Sequence, residues 1–382
     1  MSSTSQVQVK TTTQRIQITP ARRRGPLVMA GLWVFLIIST IASIGIGQVE
    51  IEPDQIITIL LDEIHVASPT ITIGDFNLPA DYTTVQKGTV TIIRLPRVIL
   101  GLMVGAALAA AGTLIQGMFR NPLADPGLIG ISGGAAFSAA LMIVLGNTVF
   151  SGLSDLLNQF GIRPVPIAAF LGGIITTFLI YRLATVNGRT SVPTMLLAGI
   201  AINSLAGAGI GLLISFADDN QVRDITFWNL GSLVDVTWER VETTAPFILI
   251  SILPMLFLSR QLNALLLGET EAQHLGVNVQ RTKQAVVLLS ALAVGASVSA
   301  AGIIGFVGLV VPHLVRLMVG PDHRYVIPGS LLLGAGLLVT ADLAARNLTG
   351  GSEILLGVVT ALIGAPFFLY LLLRDRQRGA LI

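Results

Sequence analysis

Ten stretches of apolar residues, each able or nearly able to cross a lipid bilayer, dominate this chain. They fall near 27–47, 95–117, 129–146, 165–181, 194–216, 242–259, 285–300, 302–319, 326–345 and 354–373. A helix rising 1.5 Å per residue needs about 20 apolar residues to span a hydrocarbon core roughly 30 Å thick. In that solvent the backbone must satisfy its own hydrogen bonds, so such runs become helices. The expected fold is an all-α polytopic membrane protein with about ten transmembrane helices. Composition agrees: 53% of the 382 residues are hydrophobic and 12% are charged, where soluble domains carry about a quarter. The runs take up nearly all the mass, which excludes a separate soluble catalytic domain.

Loop charge gives the orientation. With the N- and C-termini both cytoplasmic, 16 of the 23 Lys and Arg residues fall inside and 7 outside, as the positive-inside rule requires. The seventh and eighth runs are the weak point. Residues 285–315 carry no charge and are too long for one helix and short for two. Gly302, Gly305 and Gly308 would allow a turn or a broken helix there. A single crossing would instead send Arg316 and everything after it to the other side. Residues 1–24 are Thr- and Gln-rich and end in Arg22-Arg23-Arg24, so they read as a disordered cytoplasmic tail. The ten-helix domain covers 25–375 and a second cytoplasmic tail covers 376–382. Residues 48–93 form the longest outside loop, and 261–284 the longest inside loop between helices. VGAALAAAG at 104–112 matches VGASVSAAG at 294–302 at six of nine positions. One copy lies on an inward helix and the other on an outward one, which suggests inverted five-helix repeats. Chance likeness between Gly/Ala-rich helices is the competing reading.

Residues 94–134 hold several signals together. RLPR precedes a helix on which Gly101, Gly105, Ala109 and Gly112 keep one face flat for close helix packing. RNPLADPG then makes a structured turn. In the inside loop, Gly268 and Gly276 bracket a short segment with Glu269, Glu271 and His274. Such a helix with an acidic face can dock in a groove of a soluble partner, and a solvated connector is the plainer reading. With no cysteine there is no disulfide, thiolate metal site or cysteine nucleophile. Only Lys10, Lys87 and Lys283 are present, and none fits a phosphate-binding GxxxxGK[ST] loop. Energy for any transport must come from a partner or an ion gradient. The four histidines are scattered without metal-ligand spacing. The arginines sit at membrane boundaries, so nucleic acid is not an expected partner. Residues 130–133, GISG, match the nucleophile motif of rhomboid intramembrane proteases and make Ser132 a candidate. No histidine lies in a clear span to serve as its base, and the glycines also suit a helix start after Pro126. An ion-coupled secondary transporter would want a membrane-embedded acid. Asp342 and Glu353 are nearest, both expected at helix ends.

RLPRVILGLMVGAALAAAGTLIQGMFRNPLADPGLIGISGGAAF, MLLAGIAINSL, FWNLGSL, GETEAQHLGVNVQRT, GIIGFVGLVVPHLVRLMVGPDHR and TALIGAPFFLYLLL occur in this order. Together they closely resemble the membrane permease subunits of iron–siderophore, haem and cobalamin ABC importers, over roughly 94–375. The resemblance implies a homodimer or heterodimer of permeases in the cell membrane, with the pathway between them. It implies two ATP-binding subunits below and an extracytoplasmic substrate-binding protein above. ATP and Mg would be used by the partner ATPase, with no cofactor or catalytic residue on this chain. Ferric siderophores are the first choice of cargo. The family's coupling element maps to 261–284, so Glu269, Glu271, His274 and Gly276 become contacts to the ATPase. Its docking arginines map to Arg94, Arg97 and Arg346, whose planar forks suit carboxylates; Asp342, four residues before Arg346, could pair with it instead. The pore helix maps to 194–216, where Asn203 and Ser204 either line the path or make interhelical hydrogen bonds. The gate maps near Ser191 and Val192, and Val192-Pro193 departs from the family's small hydroxyl residues.

Overall fold

The computed structural model describes residues 25–66, 70–73, 76–348 and 353–377. The tail expected at 1–24 and the last five residues lie outside these. Among the described residues are ten apolar helices: α1 Gly25–Gly45, α2 Leu95–Phe119, α3 Ile131–Leu145, α4 Pro164–Ala184, α5 Val192–Ile214, α6 Trp238–Met255, α7 Val279–Ala301, α8 Val307–Val319, α9 His323–Asn347 and α10 Leu356–Gln377. Local chemistry sets their ends. Pro96, Pro193 and Pro164 stand in the first turns of α2, α5 and α4, where a missing N–H costs nothing. Asp322 caps α9 by accepting from the Arg324 amide at 3.0 Å.

Three helices form the centre. About 78% of the most apolar stretch of α2 is buried, and 67% for α7 and α9, against 17% for α5. The flat face read from the sequence is the reason α2 can sit there. A Cβ on Gly112 would run into the Gly308 carbonyl, and one on Gly105 into that of Gly334. Backbones therefore touch where any side chain would separate them, and dispersion between close helices is what holds a bundle together in lipid.

The seventh and eighth runs are two helices joined by a non-helical segment at 302–306, with Gly302 at φ 70° and Phe306 at φ 67°. At 13 residues, α8 is about 20 Å long. It still completes a crossing. Arg316 near its end donates to Gln116 in the last turn of α2, and the neighbouring Gly117 lies against His323 and Leu262. The predicted cytoplasmic ends thus meet, as do the predicted outer ends, where Arg94 reaches Ile44 and Trp238 reaches Thr91. Non-helical backbone at membrane depth is tolerated only when buried in protein or lining a cavity. Here the Ile303 amide donates to Trp228 O and the Ser232 amide to Ala301 O, and Ile303 to Gly305 line a cavity.

The described residues of the 48–93 loop have secondary structure of their own. It holds a helix at Pro53–Glu63 and a hairpin of β1 Ile71–Ile73 and β2 Phe76–Leu78. From Thr84 it is continuous with α2, giving 36 helical residues. Ile51, Ile56, Ile59 and Val90 pack on Ile44, Val98 and Val339, so the loop is anchored to the bundle by its own apolar side chains. Two further strands, β3 Thr185–Val186 and β4 Arg189–Thr190, pair antiparallel between α4 and α5.

Candidate functional site

At the predicted cytoplasmic end, α6 runs on into a short helix at Ser259–Leu266. Gly268, at φ 128°, redirects the chain into a second one at Glu269–His274, and Gly276, at φ 82°, redirects it again. Backbone at these angles is open mainly to glycine. Leu262, Leu265 and Ala272 pin this elbow to the bundle. Its other side is open: Leu266, Leu267 and Leu275 are exposed beside exposed Glu271, His274 and Gly276. A cleft of about 600 Å³, lined by Leu258, Gln261, Leu275, Asn278 and Arg281, runs along it.

Glu269 behaves differently from the other three coupling candidates. Its carboxylate pairs with Lys283 at 2.8 Å. Lys283 is 3% exposed and also donates to the Thr190 carbonyl at 2.9 Å. One turn earlier on α7, Gln280 donates to Thr190 Oγ1 at 2.6 Å and accepts from the Thr190 amide at 3.0 Å. Thr190 closes the β3–β4 hairpin and precedes Ser191. The elbow and the start of α5 are thus joined through Lys283, while Gln280 ties Thr190 to α7 and to Tyr181 of α4. A cleft of about 410 Å³ lies at the junction, lined by Arg120, Ser191, Val192, Glu269 and Lys283 among others. The sequence reading missed both Lys283 and Gln280. A lysine in an inside loop reads as a topology signal, and only the folded chain buries it.

Ser191 is the N-cap of α5 and accepts from the Thr194 hydroxyl at 2.8 Å. Val192 follows in the first turn. Asn203 makes an interhelical tie, donating to the Gly127 carbonyl at 3.0 Å. It also lines a cavity of about 310 Å³ with Asp125, Ser132 and Gly305, toward the middle of the bundle. Ser204 bonds back to the Ile200 carbonyl at 2.9 Å and faces outward with exposed Leu197, Ile200 and Leu205. The two polar residues of the fifth helix therefore point to different surroundings. No histidine lines the cavity that Ser132 shares with Asp125. His313 and His323, expected outside the spans, stand within α8 and at the first position of α9.

The outer arginines all have partners within the chain. Arg94 is 4% exposed and donates to the carbonyls of Ile44, Gly45 and Val49 at 2.5 to 2.8 Å. It closes the C-terminal end of α1, where carbonyls lack helical partners. Arg97 pairs with Asp342 at 2.8 Å and Glu353 at 2.7 Å, tying α2 and α9 to the segment that leads into α10. Arg346 donates to the carbonyl and hydroxyl of Ser43. Asp342 does not take the helical i, i+4 partner that its spacing offered. It lies inside α9 at 2% exposed, where the bidentate fork of Arg97 compensates a buried charge better than a neighbour turned toward α1. The physical reason for all three is the same: arginine at the bilayer edge finds unmatched carbonyls and acids within the protein before it reaches water.

A model of the FecCD transport family matches residues 35–374. The hemin transport system permease of Yersinia pestis is 47% identical over 286 residues, 75% of this chain and 83% of that protein. The cobalamin import system permease of Halobacterium salinarum is 43% identical over 315 residues, 82% and 81% of the two chains. In structure, the chain matches a metal-chelate-type ABC transporter in an inward-facing conformation. The TM-score is 0.75 at 31% identity, covering 91% of this chain and 99% of that one.

Proposed function

Because the chain belongs to the FecCD transport family, as a multi-pass ABC permease subunit, we propose that it forms the membrane pathway of an importer for metal chelates. Haem and cobalamin stand ahead of ferric siderophores, the cargo the sequence alone suggested, since the names of similar permeases carry the first two. ATP hydrolysis belongs to a separate subunit. In this reading the exposed face of α5, with Ser204 on it, meets a second permease across the pathway. The elbow at 259–276 receives the ATPase through Leu267, Glu271, His274 and Leu275. The outer arginines frame the docking surface for a binding protein by holding α1, α2, α9 and α10 in place.

The observation that carries the proposal is the chain of contacts Glu269–Lys283–Thr190. It joins the surface offered to the ATPase to the residue preceding Ser191 and Val192. A rigid link of this kind lets a displacement of the elbow move the start of the pore helix, which a free connector could not do. The test is reconstitution of the chain with its co-purifying subunits in proteoliposomes. ATP-dependent uptake of haem, cobalamin and ferric siderophores is then measured side by side. ATP-driven uptake of one chelate supports the reading. An assembly that lacks any ATP-binding subunit and moves no chelate overturns it.

A further inference from the structure

A groove of about 500 Å³ opens between the predicted outer ends of α4, α6 and α7, a size usual for small-molecule sites. Its apolar part includes Phe170, Leu171, Phe247, Ala296 and Ala300. The two phenylalanine rings lie 5.2 Å apart. Leu171 and Phe247 are exposed, at 50% and 44%, on helices that cross the membrane, so the groove opens sideways toward lipid. Its mouth is charged. Arg163, immediately before α4, and Arg240, in the first turn of α6, stand there with Glu239 and Glu242. Arg163 and the carboxylates of Asp235 and Glu239 are all near enough for their charges to act on Arg240. Among the described residues, none of these four side chains is in an ion pair. Trp238, two residues before Arg240, is 40% exposed, the placing of an interfacial aromatic.

We infer that this groove is a binding site for one phospholipid of the phosphatidylethanolamine type. A phosphodiester would lie on the Arg163 and Arg240 forks, a primary ammonium on Glu239 and Glu242, and an acyl chain over the two phenylalanines. The charges select the class. Guanidinium forks bind phosphate oxygens in paired hydrogen bonds. Two carboxylates want a cation that can donate N–H bonds, which a trimethylammonium group cannot. A head group such as phosphatidylglycerol, whose one charge is its phosphodiester, would satisfy the arginines and leave the two glutamates without a cation.

The test uses the intact transporter complex, stripped of lipid in detergent. It is offered equimolar dioleoyl-phosphatidylethanolamine, -phosphatidylcholine and -phosphatidylglycerol, and bound lipid is read by native mass spectrometry. Phosphatidylethanolamine is expected to be retained preferentially. R163Q/R240Q should lower that retention ~10-fold or more, the value of one or more charge-assisted hydrogen bonds. E239Q/E242Q should turn the preference toward phosphatidylglycerol, a reversal that general loosening of the protein would not produce. Equal retention of the three lipids by the unaltered complex overturns the site, and so does unchanged phosphatidylethanolamine retention in R163Q/R240Q. If a variant fails to assemble, the head-group preference of the unaltered complex decides. A change in affinity for the binding protein without a change in lipid retention assigns these charges to protein docking and also overturns the site.

Discussion

Replacing Lys283 with methionine keeps most of the side-chain volume and removes one buried ammonium. The Thr190 carbonyl then loses a donor, which costs about 1–3 kcal/mol when the group stays dry. Glu269 loses its partner too, but its side chain is 40% exposed and water can replace the lysine, so this half is worth about 0–1 kcal/mol. Removing a cation that is 3% exposed also returns part of its desolvation penalty. The net loss of stability is about 1–2 kcal/mol, small enough for the complex to assemble. Glu269→Ala is expected to be worse, at about 3 kcal/mol, because it strands the buried ammonium on one carbonyl. If the link transmits motion, Lys283→Met should keep ATP hydrolysis and lower chelate transported per ATP by about 10-fold, a coupling of about 1.4 kcal/mol. The assay is uptake and phosphate release measured together in proteoliposomes. Unchanged transport per ATP in Lys283→Met, with normal assembly, would refute the transmission route. Equal destabilisation by the two substitutions would refute the account of which end of the pair is buried.

Glu271→Lys should weaken association with the ATP-binding subunit without unfolding the bundle, since the side chain is exposed; a pull-down at matched expression reads this. Leu267→Asp should do the same, because a residue 65% exposed contributes nothing to the isolated fold. Arg97→Met should destabilise the chain by about 3–5 kcal/mol by leaving Asp342 buried and unpaired, and Asp342→Asn in the same chain should recover part of the lost thermal stability. Gly112→Leu should prevent α2 and α8 from closing, seen as loss of folded protein in detergent rather than loss of activity alone. Partial burial acts to raise the Asp322 carboxyl, but the Arg324 amide, the Asn263 side chain and the nearby charges of Arg324 and His323 together hold it below the usual carboxylate range. Its contribution is therefore present above about pH 4, the unfolded value, and is lost as pH falls through the lower folded value. Asp322→Asn should make the thermal midpoint less dependent on pH in that range.

Much of this was legible in the sequence. Apolar runs of bilayer length determine helices because lipid offers the backbone no other partner, and ten of them fixed the fold class. Small residues spaced along residues 101–112 marked the face where α2 meets α8 and α9, since only their size permits that approach. Gly268 and Gly276 located the elbow, and a linear signal sufficed because the turn is made by neighbours in the chain. The pair at 285–319 was ambiguous for a physical reason: an uncharged stretch records no boundary, and only the contact of Arg316 with Gln116 shows that the chain crosses twice.

What the tertiary structure alone decided is where the charges go. From the sequence, Arg94, Arg97 and Arg346 look like surface cations on one side, and Lys283 looks like a topology signal. Folding turns each inward, to carbonyls of α1, to Asp342 and Glu353, to Ser43, and to Glu269 and Thr190. Those partners lie from 14 to 303 positions away along the chain. The periodicity of a sequence records which face of a helix is apolar. It does not record which distant carboxylate or carbonyl will be within reach, and for a charge at the membrane edge that distance separates a docking contact from a structural tie.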